Sequence, residues 1–312
     1  MAKKRAREAD GATGPSEKMA VDGAESSDDE DFDMVNVEFE WFNFDADIDF
    51  HGTKALLRQL LDVDASLHDI SGLADLILSQ PTVGSTVKVD GKETDPYAML
   101  TALNLREHAG NKGNKAVVEL VRYLADKAAS SSSTGKDSSS NNNNNNNLAS
   151  VVPELLQAQT SNSGGQAPTV GLILAERLIN MPAEISPPMY RMVIDEIADA
   201  VEDKEPYEFT HYLVLSKTYQ EVEGKKRGRQ DPTAAAAAAD TTWYFHPEDE
   251  VLHRYAAAHG SYSFTKHDES IADSKRAFQE MGIRPQGHMI LIEAGRFAEA
   301  VKAISDYLAP PS

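Results

Sequence analysis

Nine histidines are spread through 312 residues, and four of them, His246, His253, His259 and His267, recur at six- to eight-residue intervals. Imidazole is the commonest metal ligand and the side chain that titrates closest to neutrality. Two such ligands share a metal most simply three or four residues apart on one helical turn. These four do not have that spacing, so they read as partly exposed histidines rather than a metal site. Asp45, Asp47 and Asp49 alternate like the first ligands of a calcium loop, but the glycine at its sixth position and the terminal bidentate glutamate are missing. Ile48 and Phe50 interrupt the pattern as well. The chain has no cysteine, which removes disulfides, thiolate zinc sites, iron–sulfur clusters and thiol nucleophiles together. It contains no Gly-x-Gly-x-x-Gly, no phosphate loop ending in Gly-Lys-Ser/Thr, no His-Glu-x-x-His and no Gly-x-Ser-x-Gly. No catalytic residue, metal or cofactor is expected on these grounds.

The charged residues are more informative. Fifty acids oppose 30 Lys and Arg, for a formal net charge of −20. Repulsion from phosphates over most of the surface disfavours direct nucleic-acid binding. Eleven of the acids, and no Lys or Arg, fall between Glu25 and Asp49, so more than half of the net charge sits in 25 residues. Asp28, Asp29, Glu30, Asp31, Glu38 and Glu40 within that stretch are candidate contacts for a basic client. Ser26 and Ser27 each precede an acid by three residues (Asp29, Glu30) and fit an acidophilic kinase site. Lys3, Lys4, Arg5 and Arg7 form a basic cluster suited to an import receptor, and Lys225 to Arg229 form a second. The N-terminus has no apolar stretch behind its basic start, unlike a secretory signal, and no run approaches the ~18 apolar residues of a membrane span. A nuclear or cytosolic address follows, without membrane insertion.

The elements that must position these groups are legible from periodicity. Residues 1–33 have almost no large apolar side chain and read as a disordered tail. Val35, Val37, Phe39 and Trp41 alternate with Asn36, Glu38 and Glu40, which predicts a half-buried strand with carboxylates on its outer face. Helical spacing marks 54–61, 70–78, 115–127, 148–157, 187–201, 270–281 and 296–308, and a short acidic turn opens at Pro247. Strands are predicted over 82–89, 97–105, 170–174, 209–219, 243–245, 262–264 and 288–292. Leu73, Leu76 and Leu78 have the spacing of an export signal, but read as a buried helix face. Low-complexity runs of serine with asparagine (about 129–147) and of basic residues with alanine (223–240) are expected to be disordered insertions. The alternation predicts a single α/β (α+β) domain over 34–309, with a mixed, largely antiparallel sheet flanked by helices.

Val170-Gly-Leu-Ile-Leu-Ala-Glu-Arg-Leu-Ile-Asn-Met-Pro182, followed by Ile185, Pro188, Met189 and Tyr190, resembles the signature of the BCCIP family, in particular its fungal members. Four other stretches agree in order: Val35–Glu40, Gly52–Leu57 with Gln59-Leu60, Val83–Lys88, and Tyr212–Tyr219. The resemblance implies a non-enzymatic nuclear adaptor and chaperone. Fungal members are associated with nuclear export of a phosphoinositide kinase, and so with actin organisation and vesicle traffic. They are also associated with escorting a basic ribosomal protein of the large subunit. Nuclear transport receptors would be further partners, and the protein would shuttle to the cytoplasm. The family's fold resembles that of GCN5-type acetyltransferases, which makes acetyl transfer to basic proteins the alternative activity. Those enzymes hold the coenzyme A pyrophosphate on an Arg/Gln-x-x-Gly-x-Gly/Ala loop, which this chain lacks. Gly171, Glu176, Arg177, Asn180, Pro182 and Tyr190 carry the signature; they read as structural, a close-packed glycine, an ion pair and a turn before the Pro187 helix.

Overall fold

In a computed structural model, the protein is described over residues 38–110, 113–131, 148–161, 167–221, 242–266 and 283–309. The alternating stretch becomes β1 (Phe39–Asn43), and the buried run after Val83 becomes β2 (Ser85–Val89). β3 (Ala98–Asn104) and β4 (Val170–Arg177) are inaccessible on nearly every residue. A strand covered on both faces reads as a continuous apolar run, which is why neither segment alternates. β5 (His211–Glu221), β6 (Thr242–Tyr244), β7 (Ala258–Tyr262) and β8 (Ile283–Glu293) complete one eight-stranded sheet. Its order is β1-β2-β3-β4-β5-β8-β7, and every pairing is antiparallel except β4 with β5. β8 follows β5 over its full length, whereas β4 pairs with residues 211–215 and β6 with residues 218–220. β6 therefore continues the line that β4 leaves.

Helices cover both faces. On one side lie α1 (Phe50–Leu61), α2 (Ile70–Ser79), α4 (Lys115–Ser130) and α5 (Leu148–Thr160), whose Leu57, Leu73, Leu124 and Leu156 pack on Leu174, Leu213 and Met289. A short helix, α3 (Leu105–Ala109), turns the chain out of β3, where Asn104 caps it by accepting the Glu107 N–H. Side chains of Asp69 and Asn114 cap α2 and α4 in the same way. On the other side are α6 (Ser186–Glu202), α7 (Glu248–His253) and α8 (Ala294–Tyr307), which bury Val193, Ile197, Leu252, Phe297 and Ile304 against Ile173, Val214 and Ile290. Each fully buried aliphatic side chain contributes roughly 1.5–3 kcal/mol, so two such layers hold the sheet from both sides. The molecule is a mixed α/β domain built on an open, mostly antiparallel sheet flanked by helices, as the sequence predicts.

Several boundaries shift. α1 begins at Phe50 rather than Lys54, the strand predicted around Tyr262 lies earlier (Ala258–Tyr262), and Leu105 leaves the strand for α3. Leu73 and Leu78 are buried and Leu76 half-buried, so this is a core-facing helix side. The tail predicted to be disordered, residues 132–147 of the first low-complexity insertion, the second insertion with its Lys225–Arg229 cluster and the helix predicted over 270–281 fall on residues outside the described ones, whereas residues 129–130 still belong to α4.

Candidate functional site

Three of the sequence stretches singled out above converge in space. β4 ends with Glu176 and Arg177, neighbours that point to opposite faces of the sheet. Glu176 faces α1 and shares that side with Leu172 and Leu174. Its Oε2 lies 2.7 Å from Lys217 Nζ on β5, and its Oε1 accepts from Gln59 Nε2 at 2.9 Å and pairs with His246 Nε2 at 3.3 Å. Gln59 also donates to the Arg177 carbonyl at 2.7 Å, and Lys217 donates to the Gln59 carbonyl at 3.0 Å. Burial alone would raise the Glu176 carboxyl, but bonding to His246 and attraction from Lys217 outweigh it and hold the pKa at about 2. Burial opposes the His246 charge, yet its bond to Glu176 raises that pKa.

Arg177 turns the other way and grips Glu248 of α7 with both guanidinium nitrogens, at 2.5 and 3.1 Å, while Ser186 Oγ at the start of α6 donates to the same carboxylate at 2.9 Å. Next to it, Asp249 accepts from Ser216 Oγ at 2.5 Å and is fully buried, which pushes its pKa up to about 7. The acidic first turn of α7 is therefore not a solvent-facing complement to the helix dipole. Its first two carboxylates are anchors inside the protein. The network fills the place where β4 stops and β6 starts, and it ties α1, β4, β5, α6 and α7 together.

Of the signature residues, Glu176 and Arg177 are committed to contacts inside the protein. Two ion pairs replace the single one expected, because Glu176 and Arg177 cannot face each other along a strand. A Cβ on Gly171 would come within 2.8 Å of the Phe209 ring, so glycine is required there by close approach. Tyr190 is buried against Phe297, with ring centroids 6.3 Å apart. Asn180 is exposed and Pro182 half-buried in the turn before α6, beside Ile179, which is 90% exposed. The strand parity of Lys217 is the clue the sequence carried: it shares the inward side of Leu213 and Leu215, and a charge placed there demands a partner.

The acidic residues sort into used and available groups. Asp45 pairs with Lys92 at 2.9 Å and Asp49 with buried Lys88 at 2.5 Å, so two acids of the imperfect calcium pattern are committed to lysines. Glu196 of α6 accepts from Gly84 N–H and Ser85 Oγ, at 2.8 and 2.7 Å, and pins α6 to the start of β2. Gly84 has φ +124°, and a Cβ there would strike the Phe44 ring at 2.7 Å. Glu205 accepts from Thr82 at 2.7 Å. Glu38 just before β1, Glu40 on it, Asp195 and Glu202 on α6, and Asp203 just after it are exposed and make no ion pair among the described residues. β1 forms one edge of the sheet, and α6 packs on β2 and β3 from the face opposite Glu38 and Glu40. Lys3, Lys4, Arg5, Arg7, Ser26, Ser27 and Asp28–Asp31 lie outside the described residues.

The histidine reading needs correction. His246 is buried in the Glu176 network rather than partly exposed, and His267 lies outside the described residues. His253 and His259 do come together, with His288 of β8 as a third member. Linear spacing could not reveal this, because the three rings come from α7, β7 and β8.

A family model described as BCCIP matches residues 34–252. Protein BCP1 of Gibberella zeae is 52% identical over 99% of both chains, and protein bcp1 of Emericella nidulans is 50% identical over 91% of each. The crystal structure of BCP1 from Saccharomyces cerevisiae covers 90% of this chain and 97% of its own, with a TM-score of 0.57 and 23% identity, a likeness of fold. The stretches that meet in the Glu176–Arg177 network all lie within the matched region, and these fungal relatives align over at least nine-tenths of the chain: the chain belongs to the BCCIP family.

Proposed function

We propose that the protein is a non-enzymatic nuclear adaptor that escorts a basic ribosomal protein of the large subunit and takes part in export of a phosphoinositide kinase. The observation that carries the escort reading is the sheet edge at β1, where exposed Glu40 stands on the strand and exposed Glu38 immediately precedes it; exposed Asp195, Glu202 and Asp203 add acids along and just after α6 on the opposite face of the sheet. Ribosomal proteins present dense Lys and Arg built to contact RNA phosphates, and a carboxylate field satisfies them before assembly. Single exposed pairs contribute only about 0–1 kcal/mol, so binding rests on many of them acting together. Handover follows by competition, because RNA offers a denser line of negative charge to the same cationic face. The acids at 28–31 extend the field along the sequence, phosphorylation of Ser26 and Ser27 would strengthen it, and Lys3, Lys4, Arg5 and Arg7 supply the address for nuclear entry.

The reading is tested by binding of purified large-subunit ribosomal proteins at low and high salt. Glu38→Lys with Glu40→Lys is expected to weaken binding by about tenfold or more, and salt to weaken it steeply. Affinity indifferent to both would refute the escort reading. The acetyltransferase alternative is disfavoured at the helix that follows β4. α6 opens Ser186-Pro187-Pro188, where two prolines lack the N–H groups that a pyrophosphate needs, and Ser186 already serves Glu248. Calorimetry with acetyl-CoA distinguishes the two: saturable micromolar binding would favour the enzyme.

A further inference from the structure

We propose that His253, His259 and His288 form a divalent transition-metal site that takes Zn2+ through three imidazoles. One ligand atom from each ring lies within 4.8 Å of the others, and Nε2 of His253 and Nε2 of His288 are 2.7 Å apart. The topology enforces the meeting. Ser261 of β7 is directly opposite His288 of β8, so His259, two residues earlier on the same face, is its diagonal neighbour. α7 lies over that face, where Asp249 is fastened to Ser216, the residue facing His288 across β5. His253 is one helical turn beyond Asp249 and points to the same patch. Its ring stacks on His259 with centroids 3.9 Å apart.

The far nitrogens are oriented as those of metal-bound histidines are. Ser261 Oγ lies 2.8 Å from His288 Nδ1 and is itself 2.8 Å from Thr218 Oγ1, and Tyr244 OH lies 3.3 Å from His253 Nδ1. When each Nδ1–H donates to its hydroxyl, both Nε2 lone pairs face one another across 2.7 Å, an arrangement that only a shared proton or a cation makes favourable. In the uncharged cluster one ring carries its single proton on Nε2, directed at the other Nε2; zinc takes that place without net release when this proton moves to Nδ1 of the same ring, whose hydroxyl neighbour turns to accept. Burial, reinforced by the neighbouring histidines, keeps both imidazoles uncharged, lowering His288 to about 3 and His253 as well. The neutral ring is the ligand form. Tetrahedral zinc sets ligand nitrogens about 3.3 Å apart, which the rings reach by opening the 2.7 Å contact and tilting His259 off the stack. Three imidazoles with no carboxylate select zinc over calcium or magnesium, and the half-exposed sides of His253 and His259 leave the fourth position to water.

The test uses the full-length chain without a histidine tag. Titration with ZnCl2 by calorimetry, with metal content measured after dialysis, is expected to give one zinc per chain. His259→Gln, a change at a half-exposed ring, is expected to weaken that affinity more than tenfold, and Ser261→Ala by about 10- to 100-fold through the lost orientation of His288. Thermal melting of both variants without metal checks that the fold is kept. Absence of saturable 1:1 uptake, or uptake unchanged in His259→Gln, would show a hydrogen-bonded packing cluster and overturn the proposal.

Discussion

Glu176 and Lys217 are 3% exposed or less and hold each other at 2.7 Å in the middle of an apolar sheet. Taking either charge out of water is costly, and only its partner offsets that cost. Glu176→Gln leaves the Lys217 ammonium buried without its counter-charge, so it is expected to destabilise the fold by about 3–5 kcal/mol, read from urea denaturation at neutral pH. The folded pKa of Glu176 lies below its ordinary 4.5, so the stability it supplies is present above that value and lost as pH falls towards 2. Asp249 has the opposite sign. Its folded pKa stands near 7 against an ordinary 3.8, so its contribution is complete below 3.8 and lost as pH rises through 7. Asp249→Asn keeps the shape and removes the titration. Relative to the unmodified chain, this variant is expected to gain stability steadily from pH 4 to pH 8 when denaturation midpoints are compared.

At the scale of elements, local pattern located nearly all the described strands and helices. Apolar spacing over 187–201 predicts α6, which runs Ser186–Glu202, and the spacing from Lys115 predicts α4, which begins there. Helical apolar spacing and caps are local signals, readable from a dozen residues. What pairs with what is not local: the single parallel contact of β4 with β5, and β6 taking over where β4 ends, depend on residues up to some seventy positions apart. The same limit hid the histidine cluster, whose third member is 35 residues from the first. The Glu176 network was half legible, since its residues stood in the resemblance but their partners did not. The β4–β5 contact offers a direct test. Gly171 faces Phe209 so closely that Gly171→Ala is expected to force that ring aside and cost roughly 1–3 kcal/mol, measured by thermal or urea unfolding.

For the whole molecule, charge and architecture are distributed separately. Glu176, Arg177 and Tyr190 are committed to contacts inside the molecule, while Glu38 and Glu40 at the β1 edge are exposed and make no ion pair among the described residues. A surface that can change its charge without endangering the core is free to be tuned to a client, and long insertions in its loops are tolerated for the same reason. β1 also carries a second consequence. Among the described residues nothing pairs with its outer edge, which runs beside exposed Trp41 and is a template on which another copy of the chain could add itself strand to strand. Glu38 and Glu40 would oppose such pairing by repulsion between copies. Reversing them to lysine preserves that repulsion, whereas Glu38→Val with Glu40→Val is expected to turn a dispersed protein into one that self-associates, seen as growing light scattering at constant far-ultraviolet helicity. The carboxylates that would receive a cationic client would thus also keep the protein from becoming its own client.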